Sequence, residues 1–476
     1  MCNRKKSIIT LLAGSLLLTS CMIPKLQPRN ENKKLPEQFA GSSDTTNSAQ
    51  QNWKLFFRDT NLIALIDTAL KYNQDLNIML QEINIARNEI RARKGEYLPF
   101  LNLGAAAGTE KSGRFTSKGA NDATTDIMPG TKTPDPLQDY LLGTNLSWEV
   151  DIWKKLRNAK KSAVYRYLAT EDGKNFMLTH LISEIATSYY ELLALDNQLD
   201  ILRQNIGIQT NALEIVKLEK ISAKVTELAV RKFEAEVLKN QSRQYEILQK
   251  ITETENRINF LVGRLPQHIT RNASGFISSP PPQVLTGIPS QLLQNRTDIK
   301  KAEHELAAAR LDLKVAKAQF YPSFMIRAGL GYQAFNPVYL FQSPQSLVYN
   351  LAGELVAPLI NRNAIKAAYY NAGSRQLQAV FNYERSVLNA YMEVSNQLAK
   401  INNLRSSYEL KEKQVEALTH SIDISTILFK SARADYMEVL MTQRDALESR
   451  FELVETRKQQ LNTAVSIYQA LGGGWK

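Results

Sequence analysis

The chain has 476 residues, of which 43% are hydrophobic and 22% are charged, so it can bury a substantial core and is not of the disordered class. Its formal net charge of +12 would by itself suggest binding to nucleic acid or to a membrane surface. The basic residues are spread along helical stretches and are not clustered with aromatic residues, which argues against a nucleic-acid partner.

The N-terminus has the form of a lipoprotein signal peptide. Basic residues within the first six positions precede a largely apolar stretch, residues 7–19, that is too short to span a bilayer. Residues 18–21 read Leu-Thr-Ser-Cys, which is the form of a bacterial lipobox. We predict that residues 1–20 are removed and that Cys21 carries a diacylglycerol and an N-acyl chain. The alternative is a free thiol beside an ordinary cleavage site. Residue 22, directly after the cysteine, is Met and not Asp, and this permits sorting of the lipoprotein to the outer membrane.

The only other cysteine, Cys2, leaves with the signal peptide, so the mature chain has no intramolecular disulfide. Residues 21–52 are polar and predict an acylated N-terminal tether. Beyond them, no proline occurs between Pro136 and Pro266 or after Pro358, which predicts very long helices. Near the C-terminus, apolar residues keep the spacing of a coiled-coil seam, with Lys458 as its one polar interruption. The seam consists of Leu447, Phe451, Val454, Leu461, Val465 and Tyr468.

The chain aligns with itself, which predicts a tandem duplication. At one constant offset, Asp75 aligns with Asp298 and Pro99 with Pro322. The predicted domains are a first repeat, a proline-rich linker and a second repeat. Their bounds are 53–275, 276–287 and 288–476.

Each half contains two segments whose residues alternate between an apolar and a polar or glycine-rich face. They cover residues 101–107, 141–150, 324–333 and 347–355. We predict four strands in two hairpin-like pairs, of a length that suits tilted membrane-spanning strands; a half-buried soluble sheet is the alternative. Gly329 and Gly331 are predicted to be strand positions that face a lumen. Residues 109–138 are predicted to be a surface loop.

Four strands cannot close a transmembrane barrel, because such barrels begin at about eight strands and every edge must be paired in lipid. Two copies would give eight strands, whose interior is largely filled by side chains, whereas three copies would give twelve strands and a wider lumen that can conduct.

Signatures of catalysis are scarce. His180, His268, His304 and His420 are isolated from one another and from any cysteine, so no zinc site is predicted. No phosphate-binding loop, metalloprotease motif or serine-hydrolase motif occurs. We predict a protein that is not an enzyme and that has no metal and no cofactor.

Taken together, these features resemble the outer membrane factor family, the trimeric TolC-like exit ducts, in its lipoprotein branch. The resemblance runs from about residue 53 to the end, although Thr297 stands where proline is usual. The matching strings are residues 53–56, 61–66, 147–153, 288–299, 357–360 and 468–475.

The resemblance implies a mainly α-helical fold with a β-barrel part: a homotrimer whose transmembrane barrel of twelve strands continues as a periplasmic α-helical barrel. It implies a passive outer-membrane exit duct of a tripartite efflux system, held in outer-membrane lipid. The implied partners are a periplasmic adaptor and an inner-membrane pump, which we expect to be of the RND type.

In the family, helix-to-helix turns at the periplasmic end carry the gate. Those turns match residues 220–227 and 429–440, where Val225 and Ala434 stand in the region that often holds glycine. Glu438 falls where the family tends to place a gate carboxylate, and our hypothesis is that Glu438, with Asp435 or Glu227, lines the constriction as a threefold ring. Solvated helix-end charges are the alternative.

Two other functions are compatible with the sequence. The chain could be the exit duct of a type I protein secretion system, or a periplasmic coiled-coil scaffold lipoprotein without a pore. The transported substrate cannot be read from the sequence.

Overall fold

The computed structural model describes residues 23–27, 29–39, 46–431 and 433–475. Cys21 and the predicted signal peptide lie outside these residues. The chain divides into two compact units, one made of residues up to 30 with 84–168 and 304–380, and the other of the remaining residues. The elements are α1 (Trp53–Phe56), α2 (Thr60–Tyr72), α3 (Gln74–Glu96), β1 (Phe100–Glu110), α4 (Ser117–Thr124), β2 (Asp126–Met128), β3 (Thr131–Lys132), β4 (Leu137–Val150), α5 (Lys155–Ile221), α6 (Glu227–Val262), α7 (Leu292–Asn295), α8 (Thr297–Ala318), β5 (Ser323–Ala334), β6 (Leu347–Val356), α9 (Asn363–Lys430) and α10 (Tyr436–Ala470).

The four predicted strands are confirmed as β1, β4, β5 and β6. They form one antiparallel sheet in the order β1-β4-β5-β6. The two predicted pairs are therefore joined, because β4 of the first half pairs with β5 of the second along its length, from Tyr140 opposite Ala334 to Val150 opposite Phe324. Sequence alternation fixes which residues share a face but not which strands are neighbours.

One face of this sheet is apolar and exposed in the single chain. Leu101, Leu146, Ala328 and Leu351 lie opposite one another in a row across the four strands. Leu101 is 67% exposed and Leu351 is 77% exposed. A contiguous apolar surface of this kind is typical of a protein or membrane interface.

The predicted long helices are confirmed. α5 has 67 residues and α9 has 68, while α6 and α10 have 36 and 35. In the described part of the chain, none of the helices is both long and apolar enough to cross a bilayer. The coiled-coil seam is confirmed on α10, where all six of its apolar residues are buried.

Lys458, the polar interruption of the seam, lies in an ion-pair cluster. Its ammonium is 2.6 Å from a Glu191 carboxylate oxygen and 2.8 Å from one of Glu455, and its side chain is only 14% exposed. Burial lowers the pKa of Lys458, but the hydrogen bonds from its ammonium to Glu191 and Glu455 outweigh that effect and raise it. Lys458 is thus a largely buried cation within the seam, and carboxylates on α5 and α10 compensate its charge.

The last helix of each half is followed by a glycine in a left-handed conformation. Gly263 and Gly472 follow α6 and α10 with φ values of 81° and 88°, which glycine adopts without strain. A Cβ at Gly263 would lie 2.3 Å from the Tyr72 carbonyl oxygen, and one at Gly472 would lie 2.6 Å from that of Asn295. Only glycine therefore fits at either position.

The described parts of the predicted tether pack against other parts of the chain. Ile23 and Leu26 contact a cluster of buried residues that includes Phe320 and Tyr369. Further on, the Phe39 ring is 2% exposed and stacks on Tyr391 with a centroid distance of 5.6 Å. Apolar residues are rare in this segment, and those present hold it against the helices.

The long connection between β1 and β4, predicted as a surface loop, contains regular structure of its own. It holds the short helix α4 and a two-stranded antiparallel sheet of β2 and β3. The Thr116 hydroxyl accepts a hydrogen bond of 3.2 Å from the Gly119 amide and so caps α4.

Candidate functional site

The first helix-to-helix turn joins α5 to α6 through residues 222–226. Ala223 has a φ of 54°, in the left-handed region, and its amide donates to the Lys220 carbonyl oxygen at 2.9 Å. The Lys224 amide donates to the Glu219 carbonyl oxygen, also at 2.9 Å. These bonds close the end of α5 as a helix C-cap. The left-handed residue is therefore Ala223 and not Val225, at a cost to a non-glycine residue of about 1–2 kcal/mol.

The second turn, between α9 and α10, repeats the same hydrogen bond. The Arg433 amide donates to the Leu428 carbonyl oxygen at 2.9 Å. Asp435 then precedes α10 in an extended conformation, and the Glu438 amide donates to the Asp435 carbonyl oxygen at 3.1 Å. Both turns thus place an acidic residue within the first turn of the helix that follows, where the helix dipole favours negative charge.

The two turns pack together around one apolar cluster, which we call the tip cluster. Phe233 of α6 is 2% exposed within it, and its ring lies 6.5 Å from that of Tyr436 on α10. The side chains of Val225 and Phe429 are partly buried against the cluster. Its buried members are Leu213, Val216, Ala229, Val230, Phe233, Val237 and Leu440.

Glu227 is fully engaged in ion pairs at this end of the molecule. Its carboxylate contacts the Lys220 ammonium, and the Arg231 guanidinium lies 2.8 Å away. The hydrogen bond from Lys220 is the largest cause that lowers the pKa of Glu227 below its ordinary value. Two cations therefore compensate this carboxylate within its own chain.

Glu438 and Asp435 are in a different situation. Both are exposed, and their side chains have no hydrogen-bond or ion-pair partner among the residues that the structure describes. The structure therefore brings the three candidate carboxylates to the same pair of turns, but only Glu227 is paired. Of the three candidates, Glu438 and Asp435 are thus the carboxylates without a compensating partner among the described residues.

The polar face of the sheet carries a row of carboxamides. Asn102, Asn145, Gly329 and Asn350 lie opposite one another on β1, β4, β5 and β6. A Cβ at Gly329 would lie 3.0 Å from the Asn350 side-chain oxygen and 3.3 Å from that of Asn145. Gly329 thus leaves room for the amides beside it. The sequence shows these residues on polar faces, but only the strand register places them in one row.

One buried arginine is not among the site residues predicted from the sequence. Arg296, just before α8, donates to Asp298 at 2.6 Å, to Glu393 at 2.6 Å and to the Ala470 carbonyl oxygen at 3.0 Å. Burial lowers the pKa of Arg296, but the hydrogen bonds to Asp298 and Glu393 outweigh this and raise it. The sequence feature that indicates this buried site is an arginine directly before the acidic first turn of a helix.

Within the described ranges, His, Cys, Asp and Glu side chains form no group of three that could hold a metal ion. The arrangement offers ion pairs, an exposed acidic helix end and a polar sheet face. Such groups can attract or repel charged and polar solutes.

Comparison with known proteins yields consistent matches. A family model described as outer membrane efflux protein matches residues 65–264 and 288–473. The chain is 28% identical over 473 residues to the pyoverdine export outer membrane protein OpmQ of Pseudomonas aeruginosa, covering 98% of this chain and 97% of that protein. It is 27% identical over 470 residues to the cation efflux system protein CusC of Escherichia coli, covering 97% of this chain and 98% of CusC. A crystal structure of CusC superposes with a TM-score of 0.80 at 25% identity, over 95% of this chain and all of that one.

Proposed function

The chain belongs to the outer membrane efflux protein family, and we propose that three copies of it form the exit duct of a tripartite efflux system. It is an outer-membrane efflux channel, as the members of this family are. We propose further that a periplasmic adaptor connects it to an inner-membrane pump of the RND type. Transport through it would be passive, without catalysis and without a cofactor.

One observation carries the trimer: a four-stranded sheet whose outer strands, β1 and β6, each have a neighbour on one side only. Its apolar face exposes large side chains, including Tyr349 at 80% and Leu351 at 77%. In lipid that face is favourable, but an open strand edge is not, because its backbone groups would lack hydrogen-bond partners. Pairing of β6 with β1 of the next copy removes every edge, and three copies give twelve strands.

This closure turns the carboxamide row toward the lumen. Each chain contributes Asn102, Asn145 and Asn350 at one level of the sheet. Neutral amides hydrogen-bond to water and to polar solutes without fixing a charged one. Such a lining suits a conduit that lets its cargo pass.

We propose that the carboxylates of Glu438 and Asp435 form the constriction at the periplasmic turns. Their support is exposure and the lack of a compensating partner among the described residues. Glu227 supports the turn instead, because Lys220 and Arg231 neutralise its charge. Three unpaired carboxylates around an axis attract cations and repel anions.

Single-channel recording in planar bilayers tests the ring. Glu438→Ala should lower the cation selectivity of the pore and change its conductance. The double change of Glu227→Gln with Lys220→Gln is the matched control at the other turn and should change selectivity less, since it removes an ion pair and leaves the net charge unchanged. Unaltered selectivity and conductance in Glu438→Ala would refute the ring while leaving the duct itself intact.

The trimer is tested separately. Outer membranes should contain the protein as a trimer that resists detergent at room temperature and dissociates on heating. A monomer in the soluble periplasmic fraction would show a scaffold without a pore.

We propose that Cys21 is acylated and anchors the chain to the outer membrane, on the strength of the lipobox. We propose that the pump selects the cargo, because OpmQ is named for the export of pyoverdine and CusC for the efflux of cations. Two cargoes so different, at similar identity to this chain, are expected when selection occurs upstream of the duct.

A further inference from the structure

Arg457 of α10 differs from two other buried arginines of this chain. Arg271 and Arg296 each contact two carboxylates. Arg457 is only 7% exposed, but among the residues that the structure describes no carboxylate lies within ion-pair distance of its guanidinium. Burying a charge is costly unless an opposite charge and hydrogen bonds compensate it. The described part of the chain thus supplies no counter-charge for this cation.

Neutral groups fix the orientation of Arg457. Its Nε donates to the Ile277 carbonyl oxygen at 2.9 Å, and its Nη1 donates to the Gln460 side-chain oxygen at 2.8 Å. The guanidinium lies over the Tyr408 ring, 3.9 Å from the ring centroid, where the attraction is that of a cation for an aromatic face. These contacts hold the guanidinium but leave its charge in place. Its Nη2, which has no partner among the described residues, is not sealed from solvent.

A cavity of about 510 Å³ adjoins the Arg457 side chain. It lies between α9, α10 and residues 280–286 of the proline-rich segment. Arg405 of α9, an exposed residue, lines the same cavity, and the acid among the described lining residues is Glu409. Two arginines and one glutamate give this lining a formal net charge of +1. The cavity therefore favours an anion over a cation.

The uncharged walls of the cavity suit an anion that carries oxygen atoms. The carboxamides of Gln283 and Asn402 lie at the wall and can donate hydrogen bonds. Leu398 and Ile401 add apolar surface. A guanidinium presents its N–H groups in a planar fork that matches the oxygens of a carboxylate or a phosphate. The donors at this cavity thus match an oxyanion.

We propose that this cavity binds a small molecule through an oxyanion, a carboxylate or phosphate group whose oxygens accept hydrogen bonds from Arg457 and Arg405. The anion supplies the counter-charge that Arg457 lacks. Because Arg457 also holds the Ile277 carbonyl oxygen, the bound anion strengthens the attachment of residues 276–287 to α9 and α10. A ligand that binds only the folded chain stabilises the folded state.

Calorimetric titration of inorganic phosphate into the full-length protein in nonionic detergent, at constant ionic strength, tests the proposal. The wild type should bind phosphate saturably, and its midpoint of thermal unfolding should rise with phosphate concentration. Arg457→Gln should abolish saturable binding, and Arg405→Glu, which reverses the second positive charge, should weaken it about tenfold. Arg375→Gln removes an exposed arginine elsewhere on α9 and should leave binding unchanged.

Acetate titrated in the same way distinguishes a carboxylate from a phosphate ligand, and saturable binding of either one supports the site. If Arg457→Gln does not fold, Arg405→Glu decides, because Arg405 is exposed and has no partner among the described residues.

Three results would overturn the proposal. One is a folded wild-type protein that binds neither anion saturably, and a second is binding by Arg405→Glu as tight as that of the wild type. The third is a structure of the assembly in which a carboxylate side chain of a neighbouring copy contacts Arg457. Binding is measured in detergent whether or not the protein conducts, so this site and the proposed duct can fail separately.

Discussion

Replacing Leu351 by lysine tests the assignment of the two sheet faces. Leu351 lies near the middle of β6 and is 77% exposed on the apolar face. If that face meets lipid, the new ammonium lies near the bilayer midplane, where lysine costs a barrel protein about 2–4 kcal/mol. Threefold symmetry multiplies the cost to about 6–12 kcal/mol per trimer. Because little apolar surface of Leu351 is buried within the chain, almost all of this cost belongs to the membrane.

The neighbouring position supplies the control. Asn350→Lys introduces the same charge one residue away, on the polar face, where it should meet water in the lumen. We expect Leu351→Lys to abolish the heat-labile trimer in the outer membrane, and Asn350→Lys to preserve it while shifting the pore toward anions. Equal amounts of trimer in both variants, or loss only in Asn350→Lys, would refute the assignment of the faces.

Three further predictions concern the anchor, the seam and the turns. Cys21→Ser should abolish the incorporation of labelled palmitate, and persistent labelling would contradict the lipobox. Lys458→Ala leaves the Glu191 carboxylate without its partner and should lower the free energy of unfolding, measured with denaturant, by about 1–3 kcal/mol. An unchanged unfolding midpoint would contradict this prediction. The lowered pKa of Glu227 stabilises the fold above the ordinary value of 4.5, and that contribution is lost as the pH falls through its folded pKa. The wild type should therefore lose more tip stability on acidification than Glu227→Gln, measured by hydrogen exchange, and equal losses would contradict the role of the pairing with Lys220.

Features set by local pattern could be predicted from the sequence. Alternation gives the four strands and their faces because the side-chain period of a strand is two residues. The scarcity of proline and glycine gives the long helices, and the spacing from Leu447 to Tyr468 gives the buried seam. In each case neighbours in the sequence determine the result.

Features set by distant contacts could not be predicted. Nothing near Lys458 reveals that Glu191 on another helix compensates it, and nothing near β4 shows that it pairs with β5. The packing of Phe39 on Tyr391 depends on residues far apart in the chain, so composition alone indicates only a polar tether. Among the candidate gate residues, the sequence gives the charges, but only the fold shows that Glu227 is paired while Glu438 is exposed.

Electron cryo-microscopy of the assembly extracted from outer membranes tests the central claim most directly. The account predicts three copies around one axis, with β6 of each copy paired to β1 of the next in a closed barrel of twelve strands and the carboxamide row inside. A closed barrel from another number of copies, or a sheet whose apolar face packs against protein in a soluble particle, would contradict it.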